Sequence, residues 1–161
     1  MNIFASFPCP TKSALYLDDK RVNKMLLENA QMLSAVCDHY DRHDEETMYK
    51  VAYKNHPCTL WLCKDLHNVN WLFKHSEALH DIYRKNNFYS KRHSSFPIIV
   101  NCILALTKEA AINHVKQTPF VNCTPYKDME VHEAYRKTLQ EKWQNDKHRP
   151  TWSGRDNQME V

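Results

Sequence analysis

At 161 residues, with 42% hydrophobic and 25% charged side chains, the chain can build one domain with a sizeable core and lacks the composition of a disordered polymer. Its single glycine, Gly154, excludes glycine-rich phosphate loops and argues against a fold of many tight hairpins. A net charge of +3 does not by itself indicate a nucleic-acid partner.

The cations do gather: Lys20, Arg21 and Lys24; then Arg84, Lys85, Lys91 and Arg92; then Lys147, His148 and Arg149. Each cluster taken alone is accounted for by a solvated helix face. The six cysteines form no CxxC pair and read as reduced, mostly buried thiols of a cytoplasmic protein. His56, Cys58, Cys63 and His67 match no common zinc spacing, so core packing is the preferred account and no metal or cofactor is expected. No apolar run is long enough to span a bilayer, and no membrane partner is expected. Without a charged-then-apolar leader, Met1 is expected to begin the mature chain.

In chain order, residues 1–10 (MNIFASFPCP) are apolar, broken by Pro8 and Pro10, and expected to lie extended against the core. A long helix is predicted over 11–40, capped by Thr11 or Ser13. Val22, Met25, Leu26, Leu33, Val36, Cys37 and Tyr40 form its apolar stripe, while Arg21, Lys24, Glu28 and Gln31 share a second stripe. Asp18 and Asp19 read as first-turn partners of the helix dipole. A polar connector (41–48) leads to a second long helix over 55–88, opened by Pro57 and apolar on more than one side, including Leu60, Leu66, Trp71 and Leu79.

Residues 89–95 form a basic loop. Residues 97–116 read as a helix packing Ile98, Ile99, Cys102, Ile103, Leu106 and Ala110, with a strand at 98–106 as the alternative. Residues 117–127 carry two prolines and are irregular; 128–148 form the last helix, closed by Lys147 and His148; 149–161 form a tail anchored by Trp152. The expectation is a single compact all-α domain over 1–161, with three to five helices, an extended N-terminal segment and an irregular C-terminal tail. Trp61, Trp71 and Trp143 fall on core positions.

Three blocks resemble the pyrimidine-dimer DNA glycosylase (endonuclease V) family of bacteriophages: LDDKRVNKMLLENAQMLSAV, HPCTLWLCKDLHNVNWLF, and HEAYRKTLQEKWQNDKHRPTW, which ends in RPTW at Arg149 to Trp152. The resemblance implies an all-α DNA repair enzyme that cuts the glycosidic bond of a damaged pyrimidine and then breaks the backbone by β-elimination. It further implies a nucleophilic N-terminal α-amine, which forms a Schiff base with the sugar C1′ and falls on Met1, and a catalytic glutamate, which falls on Glu28. No metal is required. Asn2, Arg21, Lys24, Gln31, His56, Arg149 and Trp152 are the substrate and DNA contacts so implied. Its partner would be double-stranded DNA with a damaged or abasic site, bound by a monomer in the host cytoplasm if the chain is phage-encoded.

The chemistry is consistent with this: α-amines titrate near 7.7–8.0, so a useful fraction is nucleophilic at physiological pH, whereas a lysine amine near 10.4 needs its pKa depressed. The chain departs from the family's best-known member in its DNA grip, with Leu27 before Glu28, Gln31 in place of an arginine, Asn2 in place of a basic residue, and SGRDNQMEV in place of an aromatic tail. Several readings remain open from the residues alone: His56 could touch substrate or only cap its helix, and Asp18 with Asp19 could hold a metal instead of serving the helix dipole. Glu28 also fits a surface ion pair with Lys24, and Trp152 could stack on a base or dock the tail. The alternative function is a non-catalytic binder of a nucleotide or phosphorylated signal on the same scaffold.

Overall fold

The computed structural model describes residues 1–108 and 112–159. Among them are six helices and no strand: α1 (Pro10–Tyr16), α2 (Asp19–His39), α3 (Pro57–Leu62), α4 (Leu66–Asn86), α5 (Ser95–Thr107) and α6 (Val131–Asn145). The all-α expectation holds, with one helix more than its upper bound. No helix among the described residues is long and apolar enough to cross a membrane.

α2 is the central element and packs on α3, α4 and α5, while α1 packs on α4. Val22, Met25, Leu26, Leu33, Val36 and Cys37 of the apolar stripe are all buried, as a period of 3.6 requires. Leu60, read as core, is exposed instead, because α3 is a short separate helix whose far side faces solvent.

Both expected long helices are broken, and in each case an aspartate makes the break. Leu17 and Asp18 are extended, so α1 ends at Tyr16 and α2 restarts with Asp18 at its N-cap. The Asp18 carboxylate does not cap the helix. It is fully buried and accepts from Arg21 Nη1 (2.9 Å) and Trp143 Nε1 (2.7 Å). α1 itself opens on Pro10, and Ser13, a proposed cap, instead accepts from Phe7 N–H and donates to Phe7 O. The second break falls at Cys63–Asp65, where Asp65 caps α4 by accepting from His67 N–H (2.8 Å).

Asp65 also ends the expected 97–116 helix early. Its second oxygen accepts from Val115 and Lys116 N–H, and Leu66 N–H donates to Asn113 O, so residues 113–116 are drawn away from a helical path. The expected Ala110 contact lies outside the described residues. α6 stops before Lys147 and His148 because Asp146 turns out to meet Arg21 (2.8 Å).

Burial alone would raise the Asp65 pKa, but the His67, Val115 and Lys116 N–H groups together with the His67 ring hold it well below the ordinary carboxylate range. A carboxylate so depressed adds stability that is complete above its unfolded pKa of about 3.9 and is lost as pH falls through the native value. Urea midpoints are therefore expected to fall below about pH 4, and Asp65→Asn to be less stable at neutral pH with a shallower acid slope. Parallel curves for the two proteins would contradict this.

All four tryptophans are buried, and each indole N–H is bonded to a distant part of the chain: Trp61 to Pro119 O, Trp71 to Pro8 O, Trp143 to Asp18, and Trp152 to Tyr16 O. Large apolar rings with one polar handle thus pin the irregular segments onto the helical core.

Candidate active site at the N-terminus

The first six residues are held by their neighbours rather than by secondary structure. Ile3, Phe4 and Ala5 are buried, and Phe4 takes φ +41°, with its N–H donating to the Asn2 side-chain oxygen (2.9 Å). From α6, His132 Nδ1 donates to Ala5 O (2.6 Å) and Arg136 Nη1 to Ser6 O (2.6 Å). The chain end is thereby laid across the middle of α2.

There it meets Glu28, which is buried. One carboxylate oxygen accepts from Asn2 N–H (3.0 Å) and lies 3.8 Å from the Met1 amine nitrogen. The other lies 3.3 Å from Lys24 Nζ, whose side chain is otherwise exposed. The ion pair with Lys24 and the contact with the chain end therefore coexist, one on each oxygen.

His56 caps α3, its Nδ1 accepting from Cys58 N–H (3.1 Å). Burial lowers its pKa and the neighbouring N-terminal ammonium lowers it further, while Glu28 opposes them. The ring is thus held neutral near pH 7, and with Nδ1 accepting, Nε2 carries its proton.

Cys58 and Cys123 complete this corner, with sulfurs 3.2 Å apart. The Cys58 S–H bond lowers the Cys123 thiol to about 7 against the effect of burial, with help from the Tyr135 hydroxyl, Lys127 and the N-terminus. The same pairing and burial push Cys58 upward. His56, Cys58 and Cys123 bring one donor atom each within 4.8 Å of one another. Two thiolates on one tetrahedral zinc sit about 3.8 Å apart, given Zn–S bonds near 2.3 Å. The two sulfurs lie closer than that, and with Nδ1 taken by Cys58 N–H the free ring nitrogen of His56 is Nε2.

The structure brings Met1, Asn2, Lys24, Glu28 and His56 together. Gln31, one turn beyond Glu28, is half-buried on the same side of α2. Two of the expected DNA contacts are buried here. Arg21 is buried between Asp18 and Asp146, whose bonds raise its pKa against burial. Trp152 is buried edge-on against Trp143 and docks the tail. Arg149 is exposed on the segment between them. Sequence reasoning missed Cys123, His132 and Arg136, each more than 60 residues from its partner at this site; no local spacing signals them.

Fold and site together define an all-helical protein whose amino terminus is held on a buried glutamate. The family model described as pyrimidine dimer DNA glycosylase matches residues 1–95, and the chain belongs to that family. The match covers α1 to α4, with Met1, Glu28 and His56, and leaves out Cys123, Arg149 and Trp152. Membership of a DNA glycosylase family implies DNA as the substrate. No curated protein and no solved structure matches the chain.

Proposed function

We propose that this protein is a DNA glycosylase with AP-lyase activity, acting on damaged pyrimidines in double-stranded DNA through the α-amine of Met1. The observation that carries the reading is the 3.8 Å approach of the Met1 nitrogen to Glu28, on an oxygen that also accepts Asn2 N–H. A buried carboxylate bonded to the first peptide N–H holds the chain end, and with it the Met1 amine, beside Glu28.

The neutral amine attacks C1′ as the C1′–N glycosidic bond breaks and its electron pair leaves with the base. The ring oxygen then departs with a proton, giving the C1′ Schiff base. Removal of a C2′ proton drives the electron pair toward C3′ and expels the 3′ phosphate. Glu28 takes the proton from the amine, gives it to the departing ring oxygen, and, ionised again, takes the proton from C2′. Lys24, exposed beside it, contacts a backbone phosphate.

Borohydride trapping of the untagged protein on an abasic-site duplex tests this, read by mass spectrometry of the N-terminal peptide. The expected result is a reduced DNA adduct on the Met1 nitrogen, lost when the chain is extended by one N-terminal residue. An adduct on a lysine would overturn the role of Met1. No adduct from folded protein would favour the non-catalytic nucleotide binder.

A further inference from the structure

The loop after α4 combines three features that the proposed chemistry does not use. From Ile82 to Ser94 the chain carries four cations, Arg84, Lys85, Lys91 and Arg92, and no carboxylate. In their midst Phe88 is 91% exposed and Tyr89 is 59% exposed. Both residues take positive φ, +50° and +58°.

The C-terminus of α4 explains how this shape forms. Phe88 N–H donates to Lys85 O (3.0 Å) and Tyr89 N–H to Arg84 O (2.7 Å), so the helix is closed by residues in the left-handed region. Glycine or asparagine ordinarily fills such positions, because a bulky side chain there is strained. Two successive aromatics are an outlier that the fold maintains without burying the first ring at all. Tyr89 is braced from below by the Arg84 guanidinium, 5.3 Å from its ring centre, whereas Phe88 is left projecting.

The loop is also tied to α2. His93 accepts from Ser95 N–H at Nδ1 and donates through its other nitrogen to the carbonyl of Asn23, while Asn86 donates to Asp19 (2.9 Å). Asn23 lies five residues before Glu28, about 7.5 Å along the helix axis at 1.5 Å per residue. That is roughly two base-pair steps of a duplex at 3.4 Å each. Between the two points α2 exposes Asn23, Lys24 and Leu27, with no carboxylate among them. The His93–Asn23 bond brings the neighbouring Lys91 and Arg92 toward the turn of α2 that carries Lys24, and Arg92 also lines a pocket with Glu77 and Asp81.

We infer that the end of α4 and the 87–92 loop form a second DNA contact, in which Phe88 wedges into the base stack beside the lesion while Lys91 and Arg92 hold the flanking phosphates. This rests on duplex DNA being the substrate. An apolar ring inserted between bases offsets the few kcal/mol of unstacking that a displaced nucleotide costs. Holding that ring on a rigid, strained turn costs little ordering on binding.

The test uses untagged full-length protein and a duplex with a tetrahydrofuran abasic analogue next to 2-aminopurine, whose fluorescence rises on unstacking. Wild-type protein is expected to bind and raise the fluorescence several-fold. Phe88→Gly suits the positive φ, so it is expected to melt no lower than wild type and to bind the duplex, yet to lose most of the fluorescence rise. Lys91→Ala with Arg92→Ala is expected to weaken binding and to reduce the log–log salt slope by about two. An undiminished rise in Phe88→Gly overturns the wedge, and an unchanged slope overturns the phosphate contacts. If wild type binds anionic vesicles but not the duplex, the whole inference falls. Trapping on Met1 alongside an unaltered Phe88→Gly response refutes the wedge alone. Loss of unstacking in Phe88→Gly without trapping in wild type refutes the amine chemistry alone.

Discussion

Glu28→Gln is expected to lower β-elimination on an abasic duplex by about 10²–10⁴-fold, the range supplied by a positioned general base. Binding to the same duplex should stay near wild type. Glutamine retains an oxygen that can accept Asn2 N–H, so the first residues should remain where they are. What is removed is the negative charge beside the Met1 amine and the oxygen that takes the proton. The side chain is buried under the chain end, so the substitution touches little of the solvent-exposed face. Stopped-time gel assays of strand scission, with binding followed separately, measure both quantities. Equal scission by the variant would remove Glu28 from the mechanism.

Asp18→Ala is expected to destabilise the protein by about 3–5 kcal/mol, the usual cost of removing one partner of a buried charged pair. The carboxylate joins three parts of the molecule: the break between α1 and α2 that it forms, Arg21 one turn on, and Trp143 in the last helix. Alanine would leave the Trp143 N–H unsatisfied and Arg21 with Asp146 as its remaining carboxylate. Asp18→Asn keeps an acceptor for the indole and is expected to lose less. Urea denaturation at neutral pH measures both, and a loss under about 1 kcal/mol for alanine would contradict the account.

What could be read from the sequence was local. The α2 stripe, the aromatic core positions of α4 and α6, and the extended start all follow from spacings of three and four or from closely set prolines. The helix breaks were hidden because aspartates, not glycine or proline, make them. An aspartate breaks a helix only when its carboxylate has a better use. Those uses lie with Trp143, 125 residues away, and with Val115, 50 residues away. That Arg21 would be buried was hidden for the same reason, since Asp146 is 125 residues distant. Its spacing from Glu28 placed it on a common stripe of α2, but a helix stripe is wide enough to hold one buried and one exposed cation. Glu28 was legible from its spacing as a carboxylate next to Lys24 and from the resemblance as the glutamate that works beside the chain end; that α6 clamps the chain end there was not legible.

That clamp has a consequence during synthesis. The carbonyls of Ala5 and Ser6 are gripped by His132 and Arg136, so this part of the clamp on residues 1–6 cannot form until α6 has been made. A nascent or truncated chain ending before α6 holds the family-matched half of the protein and still lacks the clamp that sets its amino terminus on Glu28. On the proposed reading, chains broken off before α6 would carry both the Met1 amine and Glu28 without the clamp that holds residues 5 and 6 in place.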